Sequence, residues 1–442
     1  MASSYLSKTP ASATNRRTFT ISFWLKTSVA TGDYTLFYSA GSGSHEFKIA
    51  FDTSERLYVY DFNGTSFDIL LKTNRVFRDT SAFYNIVYEI DTTNATADDR
   101  IKLYVNGVQE TSFSDRTNPS QNHDTEWNGT GVHYIGRDGS GSYIDGILTH
   151  IHNIDGTAYD ADTFGETDAT TGIWKPKTAP SVTYGTNGFF LKGENSGALG
   201  TDSSGNGNDF TINGTPTQTV DTPSNVFATM NPLYRTTNIN FSNGNNTITS
   251  SSGSWNAPAS TLAASTGKWY VEGKTTGYNH NAVGVASNPN DNSAGYPFEI
   301  AGGYGYKLYT GGTTTQGADN VSYGDTLANG DIFQIALDLD NSKIYFGKNG
   351  TWQNSGVPTS GATGTGAAFT LPSNETYHFV NALNLQTGGA SSQWNFGNGY
   401  FGTTAVASAG TSTSGDDSIW EYDCPTGYYG LNTKNINEQE YS

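Results

Sequence analysis

The chain has 442 residues, enough for two or three domains that each bury a core. Its 52 glycines, 27 tyrosines and 23 phenylalanines, among abundant Thr, Ser and Asn, predict an all-β protein of short strands and tight turns. Lys and Arg total 23 against 41 Asp and Glu, and the formal net charge of −18 argues against nucleic acid and anionic lipid as partners. The single cysteine, Cys424, rules out an intrachain disulfide scaffold. Residues 1–10 lack the apolar core of a signal peptide, and no run approaches the ~18 to 20 apolar residues of a membrane span. The expectation is a chain made in a cytoplasm, without membrane insertion.

In chain order, Phe19, Ile21, Phe23 and Leu25 alternate with Thr20, Ser22 and Trp24, the period-2 pattern of a strand with one buried face. Further strands are predicted at Tyr34–Ser39, Glu46–Phe51, Leu57–Asp61 and Phe83–Asp91, and a hairpin at Ile101–Val105 turning on Asn106-Gly107. A glycine-rich bend after Tyr134 leads into a strand through Ile147, Thr149, Ile151 and Asn153. The Ser22-Phe-Trp24 strand, the Leu103-Tyr-Val-Asn-Gly107 hairpin and Tyr143-Ile-Asp-Gly-Ile147, in this order, resemble the concanavalin A-like jelly roll of the LamG and pentraxin type. The resemblance implies a sandwich over residues 1–175 that binds glycans or proteins, sometimes through calcium.

Residues 176–235 gather prolines and read as a connector. Its strand Gly188-Phe-Phe-Leu191 and the segment Leu199–Ile212, which resembles a LamG-type Asp-Ser-Ser-Gly-Asn-Gly loop, are expected to complete the first sandwich. Beyond it, Phe333, Ile335, Leu337 and Leu339 alternate with polar residues, Ile344-Tyr-Phe346 follows, and Asn349-Gly350 closes a hairpin. Together with Gly267-Lys-Trp-Tyr-Val-Glu272, Val283-Gly-Val-Ala286, Tyr323-Gly-Asp325 and Asn349-Gly-Thr-Trp352, these segments resemble the SPRY (B30.2-like) β-sandwich family, whose domains are interaction modules. The expected architecture is therefore two antiparallel β-sandwiches, the SPRY-like one at 236–402, followed by a linker of Ser, Thr, Gly and Ala from Thr403 to Gly415 and an aromatic tail to 442.

The order of Ser7–Arg16, jelly roll, Thr201–Asp209, Asp221–Pro232, SPRY-like domain and Pro425–Thr433 resembles virion proteins of tailed bacteriophages from marine and freshwater bacteria. This likeness implies a non-enzymatic protein of the virion exterior, made in the host bacterial cytoplasm, with other virion proteins, copies of itself and host-surface glycan as partners. Its alternative is a purely structural role in capsid decoration, an adaptor or the tail and baseplate. A depolymerase is the third.

The chemistry-bearing residues follow from these expectations. Retaining glycosidases need two carboxyls ~5 to 5.5 Å apart. In jelly-roll glycosidases they lie on one strand as Glu-x-Asp-x-x-Glu; Glu89-Ile-Asp91 begins that pattern, but Asn94 stands in place of the second glutamate. His150 and His152, two apart on a strand, share a face and could begin a metal site, against the blander reading of a solvated face. No cofactor is required. Calcium is admitted at Asp202, Asn206, Asn208 and Asp209, an oxygen-rich loop that reads equally as an Asx turn closed on its own backbone. For sugar binding, flat aromatic rings with nearby amides and acids are sought, and Trp127, Tyr296, Tyr304, Tyr306 and Tyr309 are the candidates, with core or subunit contact as the competing role.

Overall fold

A computed structural model describes residues 3–28, 32–169, 172–234, 238–251, 253–278, 280–289, 296, 298–299, 301–384, 389–411 and 417–440. The remaining residues, among them 412–415 of the stretch read as a linker, lie outside this description. The chain divides into two compact units, Met1–Gln218 and Thr219–Ser442, each built on antiparallel sheets, with one short helix at Thr433–Glu440 and one parallel pairing of Tyr429–Gly430 in the second.

The first unit begins with β1 (Tyr5–Lys8), β2 (Thr18–Thr27), β3 (Tyr34–Ala40), β4 (His45–Phe51), β5 (Arg56–Asn63), β6 (Phe67–Val76), β7 (Tyr84–Asp91) and β8 (Ile101–Val105). It continues with β9 (Val108–Glu110), β10 (Phe113–Thr117), β11 (His133–Ile135), β12 (Gly146–Asp155), β13 (Gly165–Thr167), β14 (Trp174–Pro176), β15 (Phe189–Leu191) and β16 (Thr211–Asn213). An eight-stranded sheet runs β10-β6-β5-β4-β3-β11-β1-β16, and a six-stranded sheet runs β15-β12-β2-β7-β8-β9. Alternation dictates how they pack. Phe37, Phe47, Ile49, Leu57, Val59, Ile69 and Leu71 of the larger sheet meet Phe19, Ile21, Phe23 and Leu25 of the smaller in one core. The outer face of the smaller sheet is itself covered, since Val87 and Ile154 pack with Phe164, Trp174, Val182 and Tyr184 of the segment beyond β12.

Two short strands that follow β12 by a wide margin belong to these sheets. β15 pairs with Ile151–Asn153 of β12, and β16 pairs with Tyr5–Ser7 of β1. The boundary between the units thus falls inside the stretch read as a connector: its first part is sheet of the first unit, while Ala228 and Met230 are buried in the core of the second.

In the second unit, one sheet is ordered Ile239–Ser242, Thr247–Ser250, Ala390–Asn395, Lys268–Tyr278, Ile332–Asp338, Lys343–Lys348 and Thr351–Trp352, and a six-stranded sheet faces it. The hairpin at Asn349-Gly350 has φ of 48° and 82°, the left-handed pair that a two-residue turn of this twist demands. Asn106-Gly107, at 49° and 79°, does the same in the first unit. The stretch after Thr403 departs from the flexible linker expected of its composition. Thr404–Ala405 pairs with Tyr400–Phe401, Gly410 bridges to Trp420, and Trp420 and Tyr428 are fully buried beside Tyr270 and Tyr345.

Candidate functional site

The outer face of the eight-stranded sheet carries the first unit's concentration of rings and charge. Residues opposed across the strands form a row: Tyr134 faces Tyr38, Tyr38 faces Lys48, Lys48 faces Tyr60, and Tyr60 faces Leu70. Their neighbours in sequence, such as Phe37, Phe47 and Val59, point into the core, so the pleat itself aims the row outward. Tyr38 and Tyr134 stack at 6.0 Å, Tyr58 and Tyr60 at 5.9 Å, and Tyr60 and Phe62 both meet Phe67 at 5.2 Å. Phe67 is 44% exposed. At the other end, the Arg137 guanidinium lies 4.7, 5.1 and 5.3 Å from the rings of Tyr5, Tyr134 and Tyr143.

A polar network holds the rings. Lys48 Nζ donates to Asp138 Oδ2 at 2.9 Å, Tyr58 Oη donates to Asp33 Oδ1 at 3.1 Å, and Tyr60 Oη donates to Glu46 Oε1. Asp138 also accepts from the Ser140 and Ser142 amides at 2.9 and 3.0 Å, which shapes the turn bordering the face. Burial opposes ionisation of Asp138, but the Ser142 amide, Lys48 and Ser140 outweigh it and hold the carboxyl well below the usual range. Burial, reinforced by Asp33 at Tyr58 and by Glu46 at Tyr60, pushes both phenols up, so both stay neutral donors. Tyr38, Lys48 and Tyr58 are themselves buried, so the surface offered to a ligand is the exposed Phe67 and the partly exposed Tyr60, Phe62 and Tyr134, beside fixed hydrogen-bonding groups.

Of the aromatic residues expected from sequence, three are core. Trp127 is fully buried against Phe37 and Phe47, and its Nε1 donates to Asn153 Oδ1 at 3.0 Å. Tyr306 stacks on Phe346 at 5.2 Å and donates to the Asp325 carbonyl, and Tyr296 packs at 4.5 Å from Trp255. Losing a buried aromatic from a core costs ~3 to 5 kcal/mol, more than the ~0.5 to 1.5 kcal/mol of a ring contact, so these three cannot turn outward to a ligand. Tyr304 is half-buried against Phe369 and Tyr377, and Tyr309 is half-buried beside His280 at 4.7 Å. They do not form one surface with the others. Tyr58 and Tyr60 had a local sequence signal, since Leu57-Tyr-Val-Tyr-Asp-Phe62 alternates aliphatic and aromatic side chains up to Asp61, whereas Tyr134 joins them only through the sheet.

The loop considered for calcium is an Asx-type turn. Asp202 Oδ1 accepts from the Phe190 and Ser204 amides at 2.9 and 2.8 Å, and Oδ2 from Ser204 Oγ and the Asn208 amide at 2.8 Å each. Asp209 Oδ1 accepts from the Asp202 amide at 2.7 Å. Asn206 and Asn208 donate their Nδ2 groups to the Gly188 carbonyl at 3.0 and 2.8 Å. These bonds pin β15 in the manner of the Asx turn expected beside the calcium reading. Ser204 and Asn206 also line a shallow open depression of about 500 Å³ with residues 182–186.

Two other expectations change. His150 has φ 47° and the pairing of β12 with β2 shifts between Thr149 and His152, so a bulge breaks the common face expected of the two histidines. His152 is buried, stacks on Phe190 at 3.9 Å and shares a hydrogen bond with Tyr184 Oη at 2.9 Å. Glu89 accepts from Lys102 at 3.1 Å and Tyr104 at 2.7 Å, while Asp91 Oδ1 accepts from the Thr93 amide at 3.1 Å, as a strand end entering a polar turn requires.

Residues 2–162 match the family model Laminin_G_3, described as the concanavalin A-like lectin/glucanases superfamily. No curated protein matches the chain. Among solved structures, the SPRY domain of human HERC1 is similar at 17% identity and TM-score 0.28, over 34% of this chain and 87% of that one. A human SPRY domain is similar at 14% identity and TM-score 0.27, over 36% and 94%. Stonustoxin is similar at 13% identity and TM-score 0.30, over 38% and 27%.

Proposed function

We propose that this chain is a non-enzymatic adhesion protein that holds glycans against the tyrosine face of its first sandwich, on the exterior of a tailed-bacteriophage particle as a fibre or appendage component. The observation that carries the glycan reading is the set of partly exposed rings Tyr60, Phe62 and Tyr134 with exposed Phe67, held in one register by the buried Tyr38, Lys48 and Tyr58. Rings of this kind cover the C–H face of a pyranose while acids and amides take its hydroxyls. A concanavalin A-like fold over residues 2–162 agrees with that use. The face is broad and shallow, which suits a weak site multiplied over many copies by avidity. The particle reading rests on the order of segments along the whole chain, and its partners are other virion proteins and copies of itself.

Binding rather than cleavage is favoured because Glu46 and Asp33 accept from phenols and Asp138 from Lys48 and its own turn. A glycan array and host-cell binding by the full chain test the reading. Tyr60→Ala and Tyr134→Ala should each weaken binding about tenfold, the ~1.4 kcal/mol equivalent of one ring contact, while Tyr309→Ala leaves it unchanged. Equal binding by all three variants would remove the site from this face. Antibody labelling of intact particles addresses location: label at a tail or fibre tip supports adhesion, whereas even label over the head without cell binding leaves the capsid-decorating role.

A further inference from the structure

We propose that Asp61, Asp68 and His123 form a binding site for a divalent transition cation at the rim of the first sandwich. One ligand atom from each lies within 4.8 Å of the others, and His123 Nε2 stands 3.0 Å from Asp61 Oδ1. The backbone explains how three residues from distant parts of the sequence meet. Asp61 follows Leu57 and Val59 on the inward parity of β5 and is 3% exposed. Opposite it, Asp61 pairs with Ile69 but Phe62 pairs with Phe67, so Asp68 is the extra residue of a β-bulge. A bulge re-aims one side chain without disturbing the rest of the pair, and here that side chain joins Asp61. The segment between β10 and β11 brings His123 onto the two carboxylates.

The charge balance points to a cation. Among the described residues neither Asp61 nor Asp68 has a Lys or Arg partner; Asp61 accepts from His123 and the Glu126 amide at 2.7 Å, and Asp68 from Asn63 at 2.9 Å. The nearby arginines are taken, Arg16 by Glu126 at 3.1 Å and Arg17 by Asp124 at 2.8 Å. Two carboxylates close together, one of them buried, are held by a single imidazole. A divalent ion would neutralise both. One nitrogen and two carboxylate oxygens suit Zn²⁺ or Mn²⁺, whereas Ca²⁺ prefers an all-oxygen shell. Bound there, the ion would clamp the β5–β6 hairpin, and with it Phe62 and Phe67 at the edge of the tyrosine face. The site stands independently of whether that face binds glycan.

The probe is Zn²⁺ titrated calorimetrically into the full chain. One equivalent should bind at pH 7.5. His123→Gln should abolish the site and Asp68→Asn weaken it at least tenfold, while a tenfold excess of Ca²⁺ fails to displace Zn²⁺. Asp68 is only half-buried, so Asp68→Asn keeps the test open where the histidine variant misfolds, and far-ultraviolet circular dichroism identifies that case. Zinc binding with unchanged affinity in Asp68→Asn, or no binding by the unmodified chain, would overturn the proposal.

Discussion

Glu272 and His133 are buried ionisable groups whose environments act in opposite directions. Glu272 accepts from Tyr270 Oη at 2.8 Å and from the Glu421 and Tyr422 amides at 2.8 and 2.9 Å, so it ties the tail to the second core. Burial outweighs those donors and pushes it up to about 7 from an ordinary 4.5. Between those values the folded unit holds the proton more tightly than the unfolded chain, and this group's contribution to stability falls as pH rises. In the first unit, burial outweighs the Gly131 carbonyl and pushes His133 down to about 4 from 6.5. There the unfolded chain takes up the proton first, so the contribution of His133 is lost as pH falls from about 6.5 to 4. Scanning calorimetry should show the His133-bearing transition weakening toward acid and the Glu272-bearing one weakening toward pH 7. Glu272→Gln should flatten the second trend and destabilise that unit by ~1 to 3 kcal/mol, since an amide NH₂ then faces a backbone N–H.

At the scale of elements, turns are the sharpest points of specification. Gly350 has φ 82°, and a Cβ there would stand 2.8 Å from Tyr422 Cδ1. Gly350→Ala should therefore cost at least ~1 to 2 kcal/mol of the left-handed penalty, readable as a lower denaturation midpoint of the second unit. Both Asn-Gly hairpins were legible because the turn chemistry and the flanking alternation are local. So were β2 and β4, where Phe19, Ile21, Phe23 and Leu25, and Phe47, Ile49 and Phe51, repeat every second residue, and β3 and β5 beside them despite shifts of register. β6 was not read, although Phe67, Ile69 and Leu71 alternate in sequence; the bulge at Asp68 then sends Phe67 to the face opposite Ile69 and Leu71. The same kind of interruption, at His150, hid the bulge in β12. The tyrosine face escaped for another reason. It exists only once β11, β3, β4 and β5 lie side by side, and the register that aligns Tyr134, Tyr38 and Tyr60 is a property of the sheet, while a search of loops led instead to Trp127 and Tyr306, which the core uses.

At the scale of the molecule, the division between Gln218 and Thr219 predicts which pieces stand alone. Residues 1–218 and 219–442, expressed separately, should each melt cooperatively. A chain ending at 175 lacks β15, β16, Phe189 and Phe210 of the first core, and one ending at 402 lacks Trp420, Tyr428 and Leu431 of the second unit. Both should aggregate, and size-exclusion chromatography distinguishes the outcomes. The pairing of Tyr5–Ser7 with Thr211–Asn213 bears on biosynthesis as well. On the ribosome β1 emerges before its last neighbour by about two hundred residues, ~10 to 40 seconds at ordinary elongation rates. During that interval β1 offers an unpaired edge, and on a polysome the nearest complement is β16 of another nascent copy. Exchange of that strand between copies is then the kinetic hazard of the topology, and slowing translation should raise the yield of strand-exchanged dimer without altering any native contact.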